Sequence, residues 1–319
     1  MKRSSIVNLF SYLVTFVLLI VVLRFFVKPE QFRVLLEISY PELVLTIFLS
    51  LGAYFWGGLE MYALRGKFNF SMEKKDILLL PLGMNLWGML LPFQGAMAYM
   101  TFFLKRKYGV KISESFSISI LLYLLSVFLS GLLGLFFYFA YSMDSLIFAG
   151  ISSLFLFSPL FAIIAHLVMV RLPVPHIQII RNVWEFAENI LRGIRQLCCD
   201  YRTVVILLVI YAARMLNMLL LYWWIVRILH YDGIGIPALL LLNLWNMLSL
   251  LIKFTPNNLG ISQVISGALF AVIGLDVEQG IMISLFSTAV FSIDAFSFGV
   301  LANFYSLAEM AKRNYQQRI

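Results

Sequence analysis

Residues 85–95 read NLWGMLLPFQG, and residues 243–260 read NLWNMLSLLIKFTPNNLG. Asn-Leu-Trp-x-Met-Leu occurs twice, and each copy is followed by a proline and then a glycine. A helix that only faces lipid has little use for asparagine, proline or glycine, so the repetition needs a structural cause. The surrounding composition supplies the setting. Apolar residues make up 62 % of the 319 positions and charged residues 13 %, against about 25 % charged in soluble domains. Runs of 18 or more apolar residues recur, each long enough to cross a bilayer. The chain reads as an integral membrane protein, with no polar stretch large enough for a soluble catalytic domain of roughly 100 residues.

Apolar runs predict spans at about 5–27, 41–64, 116–141, 145–170, 203–229 and 280–305. The first is long and lacks a small-residue cleavage site, so it is expected to be retained. The net charge of +8 does not imply nucleic acid, because the basic residues follow membrane topology. They cluster at Lys2 and Arg3, over Arg65–Lys75, over Lys105–Lys111, between Arg171 and Arg202, and at Lys312, Arg313 and Arg318. All five clusters share the cytoplasmic side only if 77–104 enters and leaves on one face. That stretch holds Pro81 and Pro92, and each half is too short for ~30 Å of hydrocarbon. A re-entrant pair of half-helices is expected, with its tip at Leu91–Gly95. Segment 236–275 repeats the pattern from the other side, broken at Thr255-Pro256-Asn257-Asn258, with longer arms that either re-enter or cross fully.

This organisation accounts for the repeated Asn-Leu-Trp stretches. Span–hairpin–span occurs over 41–141 and again over 203–305 in opposite orientation, an inverted-topology repeat of the kind found in transporters with discontinuous helices. Broken backbone at membrane depth is tolerated where it is buried in protein or lines a wet cavity. The expected architecture is an all-α polytopic membrane protein of about six transmembrane helices and two re-entrant hairpins. It forms a single integral domain over 1–319, with both termini cytoplasmic.

Between the halves, HIQIIRNVWEFAENILRGIRQLCC at 176–199 has apolar residues at the i, i+3, i+4, i+7 spacing of an amphipathic helix. This linker, within about 172–202, is expected to lie on the anionic cytoplasmic leaflet. Cys198 and Cys199, the two cysteines present, fall in this cytoplasmic segment, where thiols stay reduced.

Ionisable groups at depth are costly and face a bundle interior or a wet cavity. Arg214 and Asp294 each lie eleven residues from the cytoplasmic end of a span, roughly 16 Å deep at 1.5 Å per residue. They are expected to pair, structurally or through substrate. Lys253 precedes the second break, where it meets an anionic headgroup or snorkels to an interface. Asn85, Gln94, Asn243, Asn257, Asn258 and Gln263 bring amides to the breaks, to cap freed backbone groups or to face a ligand. Half-helix N-termini there would turn partial positive charge toward an anion. His166, His176 and His230 have no metal-ligand spacing, and no phosphate loop or nucleophile elbow appears. No cofactor, no metal and no catalytic residue is assigned.

These features resemble one known family, the flippase-like transmembrane region of lysylphosphatidylglycerol synthases and its stand-alone relatives. LPFQGAMAYMTFFLKRKYGV at 91–110 is similar to the family's Leu-Pro-x-x-Gly run that ends in a basic stretch and Gly-Val. FTPNNLGISQVISGALFAVIGLDVEQGIMIS at 254–284 looks like its Pro-x-Gly-Gly-x-Gly-x-x-Glu segment and the helix after it. Pro92, Gly95, Pro256 and Gly260 match. Asn257 and Asn258 stand where the family has a glycine pair, and Gln263 where it has an acid. An acid and an arginine are missing after Gly95, and the last span's arginine is replaced near Ser287–Thr288. The resemblance implies lipid translocation or handling of lipid-linked headgroups, without the synthase's soluble transfer domain.

The expected function is movement, or presentation, of an anionic amphiphilic lipid in a bacterial or archaeal cytoplasmic membrane. A phospholipid, an aminoacylated one or a polyprenyl-phosphate carrier would suit. The expected site comprises Asn85, Pro92, Gln94, Gly95, Arg214, Asn243, Lys253, Thr255, Pro256, Asn257, Asn258, Gly260, Gln263 and Asp294. The alternatives are a non-catalytic partner of an envelope lipid or glycan enzyme, and a membrane-embedded transferase using Asp294 or Glu60.

Overall fold

The computed structural model describes residues 37–316 except 69, 92–93, 141–145, 159, 161–163, 165–177, 199, 252–254 and 256–257, together with Ile20 and Arg24. The described residues are helical and contain no strand. In chain order the helices are α1 (Tyr40–Leu64), α2 (Asp76–Leu90), α3 (Gly95–Tyr108), α4 (Ile112–Ala140), α5 (Leu146–Leu156) and α6 (Gln178–Cys198). They continue with α7 (Tyr201–Ile228), α8 (Ile236–Leu251), α9 (Ile261–Val272) and α10 (Val277–Asp294). A π-helical turn, Ala295–Gly299, then leads into α11 (Val300–Gln316).

Four of these helical stretches are long and apolar enough to cross a membrane: α1, α4, α7 and the continuous α10–α11 rod over Val277–Lys312. They coincide with four expected spans. The expected span at 5–27 lies outside the described residues apart from Ile20 and Arg24, and that at 145–170 is described only in part, through α5. The chain is an all-α polytopic membrane protein. α2 and α3 have 15 and 14 residues, about 22 Å each at 1.5 Å per residue. α8 and α9 have 16 and 12.

The described residues fall into two compact units. One is drawn from Met1–Gly57, Leu78–Tyr99 and Ala213–Ile319, the other from Gly58–Ile77 and Met100–Ala212. The first takes residues from both halves of the sequence.

In the first unit, α1 and α7 run antiparallel. Trp224 Nε1 donates to the Glu42 carbonyl at 3.4 Å, and Asn217 Nδ2 to the Leu49 carbonyl at 2.9 Å. Further along, the Arg214 guanidinium reaches Gly57. Gly52 makes the close approach possible, since a Cβ there would lie 2.4 Å from Asn217 Oδ1. α9 and α10 pack through small residues in the same way. A Cβ on Gly280 would lie 2.6 Å from the Ser266 carbonyl, and one on Gly267 2.9 Å from Ile281. Small residues let membrane helices approach until dispersion contacts form, where no hydrophobic force drives association.

In the second unit, α4 is the centre. Gly131 lies against the Ser152 carbonyl of α5, Tyr211 Oη of α7 donates to the Ser126 carbonyl at 3.3 Å, and α6 docks on the first turns. The amphipathic linker is thus a helix, α6, but part of its apolar face is spent on protein. Ile190 and Ile194 are buried, Phe186 meets Phe116 edge to face at 5.5 Å, and Ser117 Oγ donates to the Ile190 carbonyl at 3.2 Å. Arg181, Arg192 and Arg195 remain on the exposed side.

Candidate functional site

α2 and α3 form a helical hairpin whose open ends are fastened together. Asp76, in the first turn of α2, and Lys107, in the last turn of α3, have no exposed side-chain area, and Lys107 Nζ lies 2.9 Å from both carboxylate oxygens. Tyr108 Oη also donates to Asp76 Oδ2 and accepts from the Glu73 N–H at 3.0 Å. α2 runs through Pro81 without breaking. Because proline has no N–H, the Ile77 carbonyl loses its helical donor. That carbonyl lies against Gly58 of α1, so close that a Cβ there would come within 1.6 Å of it.

At the tip of this hairpin, Gln94 is exposed with φ 71°, and its carbonyl accepts from the Ala98 N–H at 3.1 Å. Gly95 is buried, and a Cβ there would sit 2.3 Å from the Trp87 carbonyl. Only glycine allows that approach. Pro92 lies outside the described residues.

Midway along α10 a ladder of polar contacts joins the helices around it. Gln263 Nε2, at the start of α9, donates to Thr288 Oγ1 at 3.2 Å. One turn on, Asn85 Nδ2 of α2 donates to the Phe291 carbonyl at 2.9 Å and to Tyr54 Oη of α1 at 2.5 Å, while the Tyr54 ring meets Phe291 edge to face at 5.9 Å. Asp294 follows, wholly buried, with Ser50 Oγ of α1 2.6 Å from its Oδ2. Beyond the π turn, Gly299 abuts the Leu82 carbonyl, and Trp87 Nε1 donates to Asn303 Oδ1 at 3.2 Å. π turns inside α-helices recur at functional sites.

This geometry corrects the expected Arg214–Asp294 pair. Asp294 contacts Ser50, whereas half-buried Arg214 meets α1 at Gly57, seven residues further on. Seven residues of helix are about 10 Å. Equal depth in two spans did not make them neighbours, because each faces a different level of α1.

At the second break, Gly260 has φ 84° and its N–H donates to Gln263 Oε1 at 2.6 Å. Ser262 Oγ donates to the Asn258 carbonyl at 3.1 Å, and the Asn258 N–H to the Thr255 carbonyl at 3.1 Å. Asn258 is buried at φ 55°, a left-handed conformation that asparagine tolerates better than most residues. Gln263 therefore caps α9, and its carbonyl occupies the end that was expected to face an anion. Thr255 Oγ1 and, on α8, Asn243 Nδ2 are buried without a hydrogen-bond partner among the described residues. Unsatisfied polar atoms of this kind need an explanation. Lys253, Pro256 and Asn257 lie outside the described residues.

Sequence reasoning missed Ser50, Tyr54, Asp76, Lys107 and Tyr108. Lys107 did carry a signal: with Met100, Phe103 and Leu104, all buried, it completes an i, i+3, i+4, i+7 stripe, while Lys105 and Arg106 are exposed. Among the described residues no group of three His, Cys, Asp or Glu side chains gathers to hold a metal.

Helices that span, shorter apolar helices between them and polar side chains buried at mid-length define a polytopic membrane protein with an internal polar layer. The family model for the lysylphosphatidylglycerol synthase TM region matches residues 8–291, and the chain belongs to that family. No curated protein and no solved structure matches it.

Proposed function

We propose that this protein moves an anionic amphiphilic lipid across its membrane, with the headgroup passing through the polar layer around α10. Family membership supports membrane lipid handling. The observation that carries the finer reading is the α2–α3 hairpin, whose arms are shorter than ~30 Å of hydrocarbon and whose open ends are joined by Asp76 and Lys107. A chain segment with both ends at one face enters and leaves on that side.

The antiparallel packing of α1 and α7 supports the inverted repeat. The hairpin after α1 and the hairpin after α7 then start from opposite faces of the membrane. Two half-penetrating elements of opposite sense are a means of sheltering a headgroup near the midplane while its tails remain in lipid. Arg214 and Lys253 are the cations proposed to attract it, with Asn243, Thr255, Asn257 and Asn258 as hydrogen-bonding partners. Gln94, Gly95 and Gly260 shape the described parts of the tips, and Pro92 and Pro256 stand beside them in sequence.

The test is a scrambling assay in proteoliposomes with labelled anionic lipids, a polyprenyl phosphate among them. Wild type is compared with Arg214→Ala and an Asn257→Ala/Asn258→Ala double variant. Movement of one lipid class, lost in both folded variants, supports the reading. No movement of any lipid by a folded wild type overturns it, and capture of an envelope lipid or glycan enzyme would then favour the scaffold reading.

A further inference from the structure

Hydrogen bookkeeping around Asp294 leads to a second ligand. Ser50 Oγ lies 2.8 Å from the Ile47 carbonyl and 2.6 Å from Asp294 Oδ2. A serine hydroxyl has one proton to donate, and a carbonyl can only accept. If Asp294 were ionised, both neighbours of Ser50 Oγ would compete for that single proton, and one short O···O contact would hold none. If Asp294 carries a proton on Oδ2, it donates to Ser50 Oγ while Ser50 donates to Ile47, and both contacts are satisfied. Its other oxygen, Oδ1, has no donor among the described residues, a cost far greater for a buried carboxylate than for a neutral carboxyl.

The surroundings agree. Asp294 is wholly buried at the middle of the Val277–Lys312 span. Among the described residues, Tyr54 of α1 is an ionisable side chain within electrostatic reach of it, with its Oη engaged by Asn85 of α2. From α10 itself come Ser292, turned to the Thr288 carbonyl, and Phe291. Arg214 of α7 lies at the level of Gly57. Among the described residues no Lys, Arg or His forms an ion pair with Asp294.

We propose that Asp294 is a proton-binding site in the membrane interior, loaded in this conformation and emptied in the alternate one, so that proton movement is linked to lipid movement. The site rests on the hydrogen count; its linkage to transport rests on the reading above. On unloading, the Oδ2–H bond breaks, the proton leaves on water as hydronium, and the Ser50 hydroxyl turns from Ile47 to the carboxylate. The π turn that begins at the next residue provides a place where the helix can rearrange without breaking the rod.

Two measurements on reconstituted full-length protein test this. Infrared difference spectra of wild type against Asp294→Asn should show a protonated-carboxyl C=O band at neutral pH that shifts in D2O and disappears at high pH. Ser50→Ala serves as a second variant, expected to shift that band while leaving the protein folded. Absence of the band at neutral pH overturns the site. In vesicles, an imposed pH gradient should change the rate of labelled-lipid movement several-fold in wild type and leave Asp294→Asn unaffected. Lipid movement indifferent to the pH gradient, or responding only to a Na+ gradient, overturns the linkage while the transport reading stands. A wild type that moves no lipid overturns the transport reading and the linkage with it, and the carboxyl band alone then decides the proton site.

Discussion

Asp76 and Lys107 stand at opposite ends of one helical hairpin and meet at 2.9 Å with no exposed side-chain surface on either. A buried ion pair contributes little net stability compared with a well-packed apolar pair, but breaking one by removing a single partner is costly. Its value here is positional: it fixes where α2 begins and where α3 ends.

Replacing either partner alone, Asp76→Ala or Lys107→Ala, should therefore destabilise the protein by about 3–5 kcal/mol. The joint change Asp76→Leu/Lys107→Met should recover much of that loss. Thermal unfolding of the four purified proteins in one detergent checks this. Additive losses in the double variant would refute the pairing argument.

Gly58 and Gly66 form a matched pair of substitutions. An added Cβ at Gly58 would come within 1.6 Å of a backbone carbonyl, whereas at Gly66 nothing lies within 4 Å. Gly58→Ala should abolish recovery of monodisperse protein, and Gly66→Ala should change stability by less than about 0.5 kcal/mol. Size-exclusion profiles after extraction give the comparison.

At Gln263, the family's acid would be a poor replacement. A carboxylate still accepts from the Gly260 N–H, but it cannot donate to Thr288 Oγ1, whose own proton goes to the Ser284 carbonyl at 2.7 Å. Gln263→Glu should lower stability by about 1–3 kcal/mol at neutral pH, the cost of an unmade buried hydrogen bond. Protonation at low pH restores a donor, so the deficit relative to wild type should shrink on acidification.

Asp200, just before α7, accepts from Thr203 Oγ1 at 2.7 Å and forms an ion pair with Lys67. Lys67 first, then Thr203, holds its carboxyl down at about 2. A depressed acid stabilises the fold above its unfolded value and loses that contribution as pH falls through its folded value. The melting temperature of wild type should exceed that of Asp200→Asn at pH 7, and the difference should narrow between about pH 4 and pH 2.

Much of the helical layout was legible in the sequence because apolar run length reports directly on spans. The expected runs at 41–64 and 203–229 differ from α1 and α7 by two residues or fewer at either end. The brevity of the first hairpin's arms was legible for the same reason. What was not legible is azimuth. Counting residues gave Arg214 and Asp294 similar depths, yet the side on which each points depends on packing between helices distant in sequence. Ser50 sits in an apolar run where a hydroxyl can bond its own backbone, so its partner 244 positions away left no local trace. Lys107 was concealed by its neighbours Lys105 and Arg106, which made it read as part of a topological charge cluster.

The wide turn at Ala295–Gly299 amounts to a one-residue insertion retained inside a continuous helix. Winding these same residues as a regular α-helix would rotate everything after them by about 100° relative to Asp294. Asn303 would then swing away from Trp87, and Gly299 from the Leu82 carbonyl. The phase between the two halves of this rod is thus set by how one surplus residue is wound, a property of the backbone rather than of any side chain.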